Sequence, residues 1–245
     1  NHIVGSAVER ADMLDRISEQ NRRLRERNSL LREQRARIEA LRFETEEAFQ
    51  LSIRLLARAA ELHDEGTANH VLRVNEYSFF LAKKLGLPQA FCDEIRYSAQ
   101  LHDVGKMSID AAILRKCCAL TDEERAEMMR HPEYGHRILL TSDRLRMAAE
   151  IALNHHERWD GGGYPAGRQG EQIPISARIV AMADIYDALR SPRPYKPGYA
   201  HETAYRIMLE GDERIEPASH FDPSLLQVFE RHHSGMDAIW SHLAG

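Results

Sequence analysis

Leu101-His102-Asp103-Val104-Gly105-Lys106 sets a histidine beside an aspartate, with a lysine three residues on. An imidazole and a carboxylate side by side deliver two metal-ligand types to one point in space. The stretch Ala99-Gln100-Leu101 leads into them as the end of a buried helix, which carries polar groups toward a desolvated centre. Taken alone, the dipeptide reads equally well as two core residues satisfied by hydrogen bonds. It does not stand alone. His70 lies upstream, and His131, the doublet His155-His156 and Asp184 lie downstream. Neutral imidazoles and carboxylates without cysteine suit a first-row divalent metal used for hydrolysis. Seven such donors are too many for one ion. A carboxylate can bridge two, so the set reads as a binuclear centre with Asp103 in the middle. Lys106, one helical turn on, should point toward the same cavity and neutralise phosphate charge; the alternative is a surface ion pair.

Outward from this centre the pattern is helical. Val71-Leu72, Val74, Phe79-Phe80-Leu81 and Leu85 suit a core helix ended by Gly86 and Pro88. Thr121 followed by Asp122-Glu123-Glu124 reads as an N-cap with acids in the first turn. His131 starts a helix running through Gly135 and Ile138, and Pro223 opens the last one. Residues 161–170 form a glycine-rich loop and residues 191–199 a proline-rich one. No strand pattern of convincing length is present, so the expected fold is an all-α bundle over residues 51–245.

Residues 9–50 contain neither Gly nor Pro. Leu14, Ile17, Asn21, Leu24, Asn28, Leu31, Arg35 and Ile38 alternate at spacings of three and four, an a/d heptad seam. Asn at a with Leu at d favours a parallel pair of helices, so residues 1–50 are expected to form a dimeric coiled coil. A solvated helix folded back on its own domain is the other reading. After Ile38 the stripe shifts to Leu41, Ala48 and Leu55, which implies a stutter. The first residue is Asn rather than Met, which we read as a piece of a longer chain with an upstream receiver or sensor domain.

A net charge of −5 argues against a nucleic-acid polymer as partner. Cys92, Cys117 and Cys118 are odd in number and imply no disulfide framework, which points to a reducing cytoplasm. No apolar run approaches the roughly 18 residues of a membrane span, and no signal peptide is visible.

The order His70, His102-Asp103, Asp184 resembles the H…HD…D pattern of the HD phosphohydrolase superfamily. His155-His156-Glu157-Arg158-Trp159-Asp160-Gly161-Gly162-Gly163-Tyr164-Pro165 resembles the HHExxDGxGYP signature of its HD-GYP branch, and Arg193-Pro194-Tyr195-Lys196 that branch's RPYK. The likeness covers roughly residues 57–232. It implies an HD-type helical bundle and a cyclic di-GMP phosphodiesterase producing linear pGpG and, further on, GMP. It assigns His70, His131 and Asp184 as ligands, beside His102, Asp103, His155 and His156. Fe or Mn is the expected metal pair, with Ni, Co or Zn also compatible. Asp103 and Lys106 would carry catalysis. Lys106, Gly163, Tyr164, Asp187, Arg193 and Lys196 would meet substrate. The glycines let backbone approach a bulky ligand, and Arg193 and Lys196 supply cations for a phosphodiester and a guanine edge. Asp187 would orient a ligand histidine or a substrate-binding lysine. The resemblance also implies protein contacts through the GYP loop.

Three departures stand out. The branch often has a glutamate four residues before the histidine equivalent to His70, where it supports a third metal; Gly66 stands there, which favours two. Its K-P-G-x-L-T reads Lys116-Cys117-Cys118-Ala119-Leu120-Thr121, for which we have no functional account. Arg190 replaces a small Thr and is expected to add a phosphate contact or obstruct the pocket. Two rival readings follow: a sensor module that binds nucleotide or partner with little turnover, and a general HD phosphohydrolase.

Overall fold

The computed structural model describes residues 2–63, 69–116, 118–192 and 197–243, and among these there is no strand. A long helix α1 spans His2–His63. It is followed by α2 (His70–Lys84), α3 (Gln89–Ser98), the short α4 (Ala111–Leu114), α5 (Asp122–Met128) and α6 (His131–Leu139). Then come α7 (Arg146–Asn154), α8 (Ile175–Arg190), α9 (His201–Glu210), the short α10 (Pro217–His220) and α11 (Pro223–Leu243). The chain divides into two compact units, Asn1–Leu51 and Ser52–Gly245, with the boundary inside α1.

The second unit is the expected helical bundle. Helix α8 is its centre, because its sequence is apolar on nearly every side: Ala177, Ile179, Val180, Met182, Ala183 and Tyr186 are all buried. Helices α2 and α7 pack against it, and α3 and α11 pack against α2. Tyr77, Leu81, Ile95, Ile151, Met182 and Phe229 are fully buried between them. Each such aliphatic or aromatic side chain contributes about 1.5–3 kcal/mol on burial.

The sequence signals at helix ends are used as read. Gly86 has φ of 74° just past the end of α2, a conformation that glycine adopts without strain. Thr121 and Glu124 form a reciprocal capping box at α5. Asp222 accepts from Ser224 N at 2.7 Å where α11 begins at Pro223. Leu72, expected in the core, is exposed on α2.

In the first unit the side chains of the seam at Leu14, Ile17, Leu24, Leu31 and Ile38 are between 44% and 66% exposed. No helix among the described residues is long and apolar enough to cross a membrane.

Candidate metal centre

Five pieces of backbone bring the seven donors together. His70 is the first residue of α2, and His102 and Asp103 follow the 3₁₀ turn Ala99–Leu101. His131 is the first residue of α6, His155 and His156 follow the end of α7, and Asp184 lies mid-way along α8. One glycine makes the approach of two of these pieces feasible. A Cβ on Gly105 would lie 1.9 Å from the His131 carbonyl oxygen and 2.4 Å from Gly135 N. Only glycine lets the turn Val104–Ser108 seat on α6 and bring Asp103 to His131.

The imidazoles are turned the same way. Nδ1 of His102 faces the Ala99 carbonyl at 2.9 Å, that of His131 the Met128 carbonyl at 2.8 Å, and that of His155 the Ala152 carbonyl at 3.0 Å. A carbonyl only accepts, so each of these nitrogens carries hydrogen, and in the neutral ring Nε2 holds a lone pair. His70 Nδ1 meets Asp187 Oδ2 at 2.8 Å to the same effect.

The Nε2 atoms face the carboxylates. Asp103 Oδ1 lies 3.3 Å from His131 Nε2 and 3.6 Å from His155 Nε2. Asp103 Oδ2 lies 3.4 Å from His102 Nε2. Asp184 Oδ1 lies 3.5 Å from His70 Nε2 and 3.9 Å from His102 Nε2. The donors therefore form two groups, Asp103 with His131, His155 and His156, and His70 with His102 and Asp184, each with ligand atoms within 4.8 Å of one another. Asp103 turns one oxygen to each group. His102 Nε2 and Asp103 Oδ1 are buried without a hydrogen-bond partner. Buried polar atoms are seldom left so; a divalent cation would satisfy both, and the residues fit one in each group.

Charge is distributed to match. Burial raises the Asp103 carboxyl, but Lys106 and His102 outweigh it and hold the group well below the usual carboxylate range. Burial disfavours charge on His102, yet Asp103, with Asp184 behind it, lifts that imidazole to about 9. Burial pushes His155 down, and burial with the neighbouring His155 pushes His156 well down, so both are neutral. The proton His102 gains sits on Nε2, the atom a cation would use. Metal loading must displace it at every pH below about 9. Apparent affinity should thus rise with pH by up to about tenfold per unit for that proton and level off above it. Calorimetric Mn(II) titrations in buffers of different ionisation heat, from pH 6 upward, should show proton release; a pH-independent affinity would contradict this protonation state.

Other expected site residues take varied places. Lys106 Nζ lies 2.8 Å from Asp103 Oδ2, at the centre as expected. Tyr164 stacks on His156 with ring centroids 4.7 Å apart. Burial, then Asp103, raises its phenol, which stays protonated. Asp187 lies where it would orient a ligand histidine, His70. It is fully buried behind His70, with Oδ1 accepting from Arg73 Nε at 2.6 Å and Oδ2 from Arg73 Nη2 at 2.9 Å. At Gly163 a Cβ would lie 2.4 Å from Arg158 N and 2.5 Å from the His156 carbonyl oxygen. The glycine thus lets the loop backbone close on the residues after the histidine doublet. Arg190 neither meets phosphate nor obstructs a pocket, because it is buried against Asp237 (2.7 Å), the Tyr186 hydroxyl (3.0 Å) and the Trp240 ring. Arg193, Lys196, Gly66 and Cys117 lie outside the described residues.

The sequence reading passed over three supports. Arg73 buttresses Asp187, and the signal for it was the i, i+3 pair His70/Arg73 facing the pair Asp184/Asp187. Glu157 is buried and accepts from Ala166 N (2.8 Å) and Arg168 N (3.0 Å), tying the glycine-rich loop to the histidine doublet. Glu61, near the end of α1, accepts from Val71 N at 3.0 Å and lines a small cavity with His70, Asp103 and Lys106. Nothing in its local sequence distinguishes it from its charged neighbours.

Fold and site together define the class: an all-helical HD-type bundle whose His/Asp cluster could hold metal. A family model for the HD domain matches residues 54–225. A cyclic di-GMP phosphodiesterase of Vibrio cholerae is 40% identical over 84% of this chain, and the response regulator RpfG of Xanthomonas campestris, a cyclic di-GMP phosphodiesterase, is 38% identical over 80%. The chain spans 44% and 51% of those two proteins' lengths. The crystal structure of a cyclic GMP-AMP specific phosphodiesterase of V. cholerae superposes with a TM-score of 0.60 at 18% identity, covering 80% of this chain and 50% of that one; it bears on fold alone. The chain belongs to the HD domain family, in its HD-GYP branch.

Proposed function

We propose that this chain is a binuclear metallo-phosphodiesterase acting on cyclic di-GMP and releasing linear pGpG. One observation carries the reading: Asp103 turns one oxygen toward each of two His/Asp groups. His131, His155, His156 and Asp103 would hold one cation, and His70, His102, Asp184 and Asp103 the other, with Fe or Mn suited to these ligands and Ni, Co or Zn compatible. When bound, two divalent cations acidify water and neutralise charge on a phosphodiester undergoing in-line displacement. The chain's own residues do the rest. The four Nδ1 hydrogen bonds fix the rings before substrate arrives. Lys106 brings a fixed positive charge to the scissile phosphate. Tyr164, stacked on His156, offers a phenol O–H. Relatives named for cyclic di-GMP at 40% identity support the substrate class, and a 3′3′-cGAMP-specific relative, also 40% identical, makes cGAMP the second substrate to test. The test is consumption of each dinucleotide by anaerobically prepared chain loaded with Fe(II) or Mn(II). Metal-dependent conversion of cyclic di-GMP to pGpG is expected. Nucleotide binding without turnover would favour the sensor reading, and turnover only of simple phosphate esters the general phosphohydrolase.

We further propose that residues 1–50 pair with a second copy as a parallel coiled coil in the cytoplasm, Asn21 and Asn28 each meeting its symmetry mate. The uncovered apolar seam supports this. Sedimentation should give a dimer for the intact chain and a monomer for one starting near residue 50. Asn21→Leu with Asn28→Leu should raise stability and admit higher oligomers. A monomeric intact chain at micromolar concentration would refute the pairing.

A further inference from the structure

A cavity of roughly 630 Å³ opens beside the metal centre, with Asp184 at one edge. Its size falls in the range of small-molecule sites. One wall is the apolar side of α8, from Ile185, Ala188 and Leu189, and another includes Tyr199. The third is the turn over residues 211–216, which brings Asp212, Glu213 and Arg214 to the rim.

That turn is built rather than loose. Asp212 Oδ1 accepts from Arg214 N and from Ile215 N, each at 2.8 Å, and Asp212 N donates to the Ile215 carbonyl at 3.0 Å. Gly211 sits at φ of 88° where α9 stops. Asp212 Oδ1 is thus engaged in holding the turn. The Glu213 and Arg214 side chains are exposed on the cavity rim and make no ion pair or side-chain hydrogen bond among the described residues. Besides Asp184 on the metal side, the anchored Asp212 and the His220 ring, the slot has an apolar α8 wall and, on its rim, the Glu213 carboxylate and the Arg214 guanidinium; this pair matches a purine with polar edges of opposite kind. Guanine offers N1–H and N2–H₂ donors to a carboxylate, and O6 and N7 acceptors to an arginine fork. Adenine offers no such donor pair and replaces O6 by an amino donor.

We infer that this cavity receives a guanine base of the substrate, with Glu213 and Arg214 as the residues that select guanine over adenine. The inference rests on the cyclic-dinucleotide reading above and says which base is read, and where. It concerns residues outside the metal centre, so their replacement should leave metal content unchanged.

The test uses the full metal-loaded chain, its Arg214→Ala and Glu213→Gln variants, and two readouts. The first is binding of GMP and AMP by titration calorimetry. The second is kcat/KM for cyclic di-GMP, 3′3′-cGAMP and cyclic di-AMP. The parent should bind GMP more tightly than AMP. Arg214→Ala should erase about tenfold or more of that preference, and the loss should fall on KM for cyclic di-GMP rather than on kcat. Equal GMP and AMP binding by the parent would overturn the inference. So would variants that keep the parent's base preference. If the parent turns over no dinucleotide, the proposed function fails by itself. Guanine-selective binding lost in Arg214→Ala would still uphold the base site, and its retention would still overturn it.

Discussion

Asp103→Ala should strip both cations from the protein and abolish turnover in one step. Its Oδ1 serves His131 and His155, and its Oδ2 faces His102 and Lys106, so its two oxygens address both donor groups. Removing a terminal ligand such as His156 would weaken one ion. Removing the bridge leaves three imidazoles on one side and two imidazoles with one carboxylate on the other, with no shared anion to offset two dications. Two-metal stabilisation of a phosphoryl displacement is worth several kcal/mol, so activity should fall about a thousandfold or more. Mass-spectrometric metal analysis and cyclic di-GMP turnover check this on one preparation. Lys106→Ala is the contrast, expected to keep its metal and lose turnover through the phosphate. An Asp103→Ala protein that holds two metals per chain and works would sink the two-ion reading.

The second large effect is expected far from any substrate. Asp187→Ala removes the carboxylate that binds both Arg73 and His70 inside the bundle. Arg73 is 4% exposed, so its guanidinium would lose its charge partner where water cannot replace it. Loss of one partner of a buried pair costs about 3–5 kcal/mol. His70 would also lose the acceptor that fixes its ring, which should weaken metal affinity about 10–100-fold. Urea unfolding of the metal-free chain reads the first effect and Mn(II) titration the second. Asp187→Asn keeps the shape and should restore part of the stability. A change in unfolding free energy below about 1 kcal/mol would show that Arg73 stays satisfied by its remaining partners, Ser191 and Trp240 among them.

The candidate centre was largely legible in the sequence because metal donors come from a short list of residue types. His102-Asp103 and His155-His156 announce themselves as doublets. His70, His131 and Asp184 needed a family likeness, since a single histidine or aspartate on a helix has no local mark. The helix ends were legible for a related reason: Thr121 and Gly86 act on their own neighbours in sequence. What escaped was set by contacts distant along the chain. That Gly163 also has Arg158 N and the His156 carbonyl against it could not be read, because sequence cannot say whose backbone comes near. Arg190 read as a cation for phosphate, because Asp237 lies 47 residues away. Gly105 drew no notice, though the carbonyl of His131 leaves no room for a side chain there.

The most direct measurement is anomalous diffraction from crystals of the intact chain grown with Mn(II), recorded above the manganese edge. Two peaks per chain are expected, one among His131, His155 and His156 and one among His70, His102 and Asp184, with an Asp103 oxygen bound to each. A single peak, or peaks that Asp103 does not join, would contradict the bridged two-metal centre.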